Sequence, residues 1–198
     1  MTTEERVEKL EREVRELRNT VRTRDLIIED ENGLVRATLG VVENVLLLTM
    51  RDDKGMPRAL LVVDEDGPRL DLYDAKGKPG AWLGATPAGL GLALLGEGGG
   101  PRAMLCMEED APGLFLYGQD GGIRVKLVVT KDGPALALLD ENNAAGAMLK
   151  VTTDGPGLIL FDENDTPRAT LAVAEGVPTL ALTDENGEAM WSAPPPAE

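Results

Sequence analysis

Glycine keeps time in this chain. Gly33, Gly55, Gly77, Gly99 and Gly121 fall 22 residues apart, and the next three beats are Asn143, Asp165 and Gly187. Eight copies of one unit therefore fill residues 23–191. A fixed period of this length means that one supersecondary unit is repeated, which constrains architecture before any single residue does. It constrains function too. A repeat spreads the same residues everywhere, whereas a catalytic site gathers unlike residues in one place.

Each unit holds two runs with the two-residue period of a half-buried strand. One is Leu70-Asp71-Leu72-Tyr73-Asp74, and the other is Arg58-Ala59-Leu60-Leu61-Val62-Val63. Between runs stand turn sequences such as Asp30-Glu31-Asn32-Gly33 and Asp64-Glu65-Asp66-Gly67. Asp at the first position can accept the turn amides, and Gly at the last tolerates positive φ. With Asp30–Gly33 as a four-residue loop, Ile28 opposes Val35 and Leu26 opposes Ala37. With Asp64–Gly67 as a loop, Leu61 opposes Leu70 and Ala59 opposes Leu72. Every connection can then be a tight antiparallel turn, giving about sixteen short strands in a meander.

One face of that meander carries Leu26, Ile28, Leu70, Leu72, Leu136, Leu138, Leu158, Leu160, Leu180 and Leu182. We expect this face to be buried. A plain sixteen-stranded barrel is too wide for Leu, Val and Ala to fill. The expected fold is therefore mainly β: eight 22-residue β-hairpin repeats in a closed or petal-like meander, folded on itself or on a partner subunit. The alternative is a parallel β-solenoid, which would stack Asp30, Asp52 and Asp74 close together.

The first residues differ from the rest. Val7, Leu10, Val14, Leu17 and Val21 alternate by three and four, the a/d seam of three heptads. In a parallel pair, Arg6 faces Glu11 of the partner subunit and Glu13 faces Arg18 of the partner subunit. These five apolar residues are the expected oligomerisation site. The implied domains are a coiled-coil stem over residues 1–24, a β-repeat domain over 25–191 and a disordered Pro-rich tail over 192–198. The implied partner is the chain itself, as a parallel homodimer or homotrimer.

D-x-x-G-x-x-R-A-x-L units behind a coiled-coil start resemble uncharacterised bacterial hairpin-repeat proteins. They are also similar to the β-flower fold, in which hairpins radiate from an apolar centre. The resemblance implies a hairpin-repeat β fold and brings no catalytic activity. Gly96 and Gly118 replace the turn Asp in two copies, and Gly146 replaces the Arg in another, so exact rotational symmetry is not implied.

Composition narrows the chemistry. The chain has no His and one Cys, Cys106. The commonest general base and zinc ligand are thus missing, and no intrachain disulfide can form. Net charge is −15, which disfavours nucleic acid and anionic membrane as partners. No apolar run nears the ~18 residues of a membrane-spanning helix, and the charged start shows no signal peptide, so cytoplasm is the default expectation and export stays open. Acidic turns such as Asp162-Glu163-Asn164-Asp165 offer too few oxygens each for calcium. Recurrent Arg36, Arg58, Arg102, Arg124 and Arg168 read as exposed charge on the face away from the leucines, near Asp71 and Thr49. Gly96-Glu97-Gly98-Gly99-Gly100 lacks the Lys-Ser/Thr of a phosphate loop and reads as a loosened turn. Trp82 and Trp191 are placed at outer positions of second strands.

The expected function is a non-enzymatic oligomeric β-repeat protein with a scaffold, adhesion or assembly role, needing no cofactor or metal. The alternative is a carrier that holds a lipid or other apolar ligand in a Leu/Val/Ala-lined channel. A partly apolar second face (Leu60, Val62, Met104, Val128) could dock another protein.

Overall fold

A computed structural model describes residues 2–17, 23–86, 89–108, 110–174 and 176–193. They form one helix and sixteen strands. The helix α1 spans Thr3–Leu17. Its start is closed by a capping box: Glu5 N–H donates to Thr2 Oγ1 at 3.3 Å, and Thr2 N–H donates to Glu5 Oε2 at 2.7 Å. No strand packs against α1 among the described residues. Val21 and the rest of 18–22 lie outside the described residues, so the seam expected over 1–24 can be followed only to Leu17.

The strands run from β1 (Asp25–Glu29) and β2 (Val35–Val42) to β15 (Val177–Thr183) and β16 (Ala189–Ala193). All sixteen belong to one antiparallel sheet whose spatial order is the sequence order. The first and last strands do not pair with each other, so the sheet is open. The closed meander is therefore overturned. The reason is geometric: sixteen strands would enclose a lumen that these side chains cannot fill. The parallel solenoid is also overturned, because every pairing is antiparallel between consecutive strands.

Two kinds of turn alternate. At one end of the strands the loops hold two residues. Glu43 and Asn44, at φ 50° and 69°, join Val42 to Val45, as a right-twisted hairpin requires. The register at this end is as expected from sequence, with Leu61 opposite Leu70 and Ala59 opposite Leu72. At the other end the register differs by two residues. Ile28 opposes Ala37 and Leu26 opposes Leu39, not Val35 and Ala37. The loop is five residues long, closed by Asp30 N–H donating to Leu34 O at 3.0 Å, and a bulge at Arg36 adds one more. A shift of two leaves the faces of the strands unchanged.

The 22-residue clock now has a physical cause. Each of its eight beats sits at positive φ in this five-residue loop. Six beats are Gly, and the other two are Asn143 at 63° and Asp165 at 58°. Asn and Asp are the L-residues that tolerate this region best.

The burial of the two faces is the reverse of the sequence expectation. Leu138 and Leu160 are 48% and 45% exposed. The buried apolar residues lie on the other face: Val62, Ala93, Phe115 and Val128. Val62 and Val128 therefore do not belong to an exposed second docking face. Size alternation explains the difference. Ala93 stands between Trp82 and Met104, which cover it, and it is 0% exposed. Phe115 lies across Gly113 towards Val128, with Lys126 Nζ 5.6 Å from its ring centre. On the leucine face, the central row of equal leucines stands level, and most of them stay more than a third exposed.

Candidate functional site

The leucine face runs unbroken across the sheet. Leu26 pairs with Leu39, Leu39 with Leu48 and Leu48 with Leu61. The run continues through Leu70, Leu83, Leu92, Leu105 and Leu114. It then passes through Leu127, Leu136, Leu149, Leu158 and Leu171 to Leu180, and ends at Ala193. One leucine thus sits on every strand but the last, at one height. Most of these leucines are 38–52% exposed.

Two further rows flank this one. Towards the five-residue loops, large and small side chains alternate from strand to strand: Ala59, Leu72, Ala81, Leu94, Ala103, Leu116. This row ends at Trp191, opposite Leu182 and 51% exposed. Trp82 lies in the row with Asp71 and Ala93. The two tryptophans are therefore on opposite faces, not both outward, because they differ by one position within the repeat. Towards the two-residue turns the third row pairs Val63 with Pro68, Val129 with Pro134 and Val151 with Pro156. No row contains a charged side chain.

The helix carries the second apolar surface. Val7, Leu10 and Val14 are each about half exposed along one side of α1. Leu17 is its last residue. Val7, Leu10 and Val14 share a helix face, and no strand packs against α1 among the described residues.

The turns carry the polar chemistry. Asp52 Oδ1 accepts the N–H groups of Lys54 and Met56, both at 2.9 Å. Asp30, Asp74, Asp140, Asp162 and Asp184 make the same pair of bonds. Arg58 Nε donates to Asp52 Oδ2 at 2.8 Å, and Arg168 pairs with Asp162 at 3.1 Å. Each recurrent arginine also reaches the next turn. Arg58 donates to Asp74 O, Arg102 to Gly118 O and Arg124 to Asp140 O. Arg36 and Arg168 reach Arg51 O and Thr183 O, one residue earlier. Neither Asp71 nor Thr49 is the partner; Asp71 pairs with Arg69. Sequence reading missed these links because donor and acceptor lie 15 or 16 residues apart and meet only once consecutive turns are neighbours.

The same bonds depress the turn carboxylates. The N–H of Ala144, then that of Asn142, holds Asp140 below its ordinary pKa, and Leu34 does most for Asp30. At Asp52 the largest single influence is burial, which raises the pKa. The N–H groups of Met56 and Lys54 together with Arg58 outweigh it. Among the described residues no three His, Cys, Asp or Glu side chains gather as metal ligands. Cys106 is half-buried in the row of Gly91 and Gly113. No protein-family model and no curated protein matches the chain.

Proposed function

We propose that the chain is a non-enzymatic scaffold that assembles with copies of itself, as a parallel homodimer or homotrimer. The leucine faces of the copies cover one another, and the α1 seam sets their orientation. Eight hairpin units act as one extended contact surface in place of a petal-like closure around the chain's own axis. The observation that carries this reading is the unbroken leucine row, half open on a single chain.

Magnitudes support it. Fifteen inter-strand steps and three rows cover about 70 Å by 13 Å, on the order of 900 Å² in projection. Single soluble chains rarely leave more than a few hundred Å² of contiguous apolar surface open. A standard protein–protein contact covers about 800 Å² per partner. The alternating Leu/Ala row offers ridges and hollows that a second copy matches by its own repeat. A bilayer is a poorer match. Strands of five to eight residues fall short of the about 9–11 needed to cross it, and two open sheet edges would leave backbone groups unpaired in lipid.

Light scattering on the full chain tests the reading. The expected mass is that of two or three chains. Leu138→Asp with Leu160→Asp should reduce it to one chain with the β circular-dichroism signal retained, because opposed carboxylates would be buried unpaired. A monomeric wild type would overturn the proposal. A stoichiometric apolar molecule in an organic extract of a monomer would favour the carrier instead.

A further inference from the structure

Five turns carry the recurrent arginine, and four of them supply it with a carboxylate. Arg36, Arg58 and Arg168 take the Asp six residues earlier. In the fourth, Gly118 replaces that Asp, yet Asp120 fills in. Its Oδ1 accepts the N–H of Gly122 at 3.2 Å, and its Oδ2 binds Arg124. The fifth is the Gly96 turn. Its backbone closes like the others: Gly96 N–H donates to Gly100 O at 2.9 Å and Gly99 N–H to Gly96 O at 2.9 Å. The N–H groups of Gly98 and Gly100 correspond to those of Lys54 and Met56, which Asp52 binds. Among the described residues they meet no acceptor, and Arg102 has no ion pair, its one bond going to Gly118 O.

This turn borders a cleft of about 240 Å³ shared with the next turn, lined by Gly96, Gly98, Gly100, Arg102, Gly118 and Asp120 among others. Arg102 already leans across Gly96. A Cβ placed there would lie 2.7 Å from Arg102 Nε, so the half-buried Arg102 side chain lies against the position an Asp Cβ would take.

We propose that the Gly96 turn binds a small monocarboxylate. One ligand oxygen accepts the N–H groups of Gly98 and Gly100, and the other accepts from the Arg102 guanidinium. The geometry is the one Asp52 and Arg58 make inside the same chain. Two features select a carboxylate over phosphate. Two oxygens in one plane match two N–H groups and a guanidinium edge. The nearby Asp120 and the net charge of −15 disfavour a dianion. The source is either a free small acid or the terminal carboxylate of a peptide. The assignment stands apart from the assembly reading, since the turn lies beyond the ends of the leucine rows.

The test is an amide NMR titration of the full chain with sodium acetate, against sodium chloride at equal ionic strength. Saturable shifts at Gly98 and Gly100 are expected with acetate alone. Arg102→Gln should weaken them about tenfold, the loss of one charge-assisted bond. Gly96→Asp should abolish them and raise the Tm, because the carboxylate is then supplied from within. Gly96 has a φ open to any residue, and Arg102 can swing aside. N-acetylalanine binding more tightly than acetate identifies a peptide terminus, and equal binding identifies a free acid. Shifts that do not saturate, that chloride reproduces, that N-acetylalaninamide also produces, or that persist in Gly96→Asp would overturn the site.

Discussion

Arg58 ties its own turn to the next one: its guanidinium holds the Asp52 carboxylate and also donates to the carbonyl oxygen of Asp74. A second donor reaches Ala75 O at 3.1 Å. Consecutive loops are thereby fastened along one end of the sheet, where no β-ladder bond runs.

Arg58→Gln should lower the Tm, and Arg102→Gln should lower it less, since only the first removes an ion pair as well as an inter-turn bond. Raising salt should narrow the difference, because these side chains are only half-buried. Thermal melts of the two variants at low and high salt check the order. Equal losses would mean that the inter-turn bond alone matters.

Acid should unfold the chain in a defined window. Seven turn aspartates, Asp30, Asp52, Asp74, Asp120, Asp140, Asp162 and Asp184, have pKa values lowered by the fold. A depressed folded pKa gives stability that is fully present above the unfolded value, about 3.9, and is lost as pH falls through the folded one. Stability should therefore be level from neutral pH down to about 5 and fall below about 4. Asp140→Asn keeps the acceptor oxygen and removes one titration, so its acid limb should be shallower in denaturant melts across pH. An unchanged limb would contradict the assignment.

The two-residue turns lie against their neighbours. A Cβ on Gly155, at φ 126°, would sit 1.8 Å from the carbonyl oxygen of Val173. Gly33, at φ 77°, has nothing within 4 Å. Gly33→Ala should therefore cost only the left-handed strain, about 1–2 kcal/mol. Gly155→Ala must also displace backbone and should cost well beyond that. Chemical denaturation of both variants measures the gap, and similar costs would mean that consecutive turns are not in contact.

Faces can be told apart by concentration. Phe115 is 4% exposed within one chain, so Phe115→Ala should cost about 3–5 kcal/mol at any protein concentration. If copies meet through the leucine face as proposed, the loss of Tm in Leu138→Ala should grow as the protein is diluted. A dilution-independent loss for Leu138→Ala would place that leucine in the fold of the single chain.

The hairpin meander was legible in the sequence because turn chemistry and two-residue alternation agree in most units. The second junction was legible to the residue, since Asp64 and Gly67 pair directly. The first was off by two, one residue for Leu34 as a fifth loop residue and one for the bulge at Arg36, and neither leaves a mark in the apolar pattern. The open face was not legible. Alternation separates two faces but does not say which is covered, and here Trp82, Met104 and Phe115 decide it by overlying small neighbours. The Gly96 turn was visible as a run of glycines. Its importance needed the neighbouring aspartates as a standard, because a missing side chain has meaning only against copies that keep it.

Strand order equal to chain order has a consequence for synthesis. Each strand finds its partner within a few residues of the one just made, so loop-closure entropy stays small and no distant segment must be awaited. The sheet can lengthen hairpin by hairpin as the chain leaves the ribosome. Its leading edge is always one unpaired strand, and the next 22 residues supply the cover. Gene duplication of a single unit would then lengthen the protein without asking anything new of the rest.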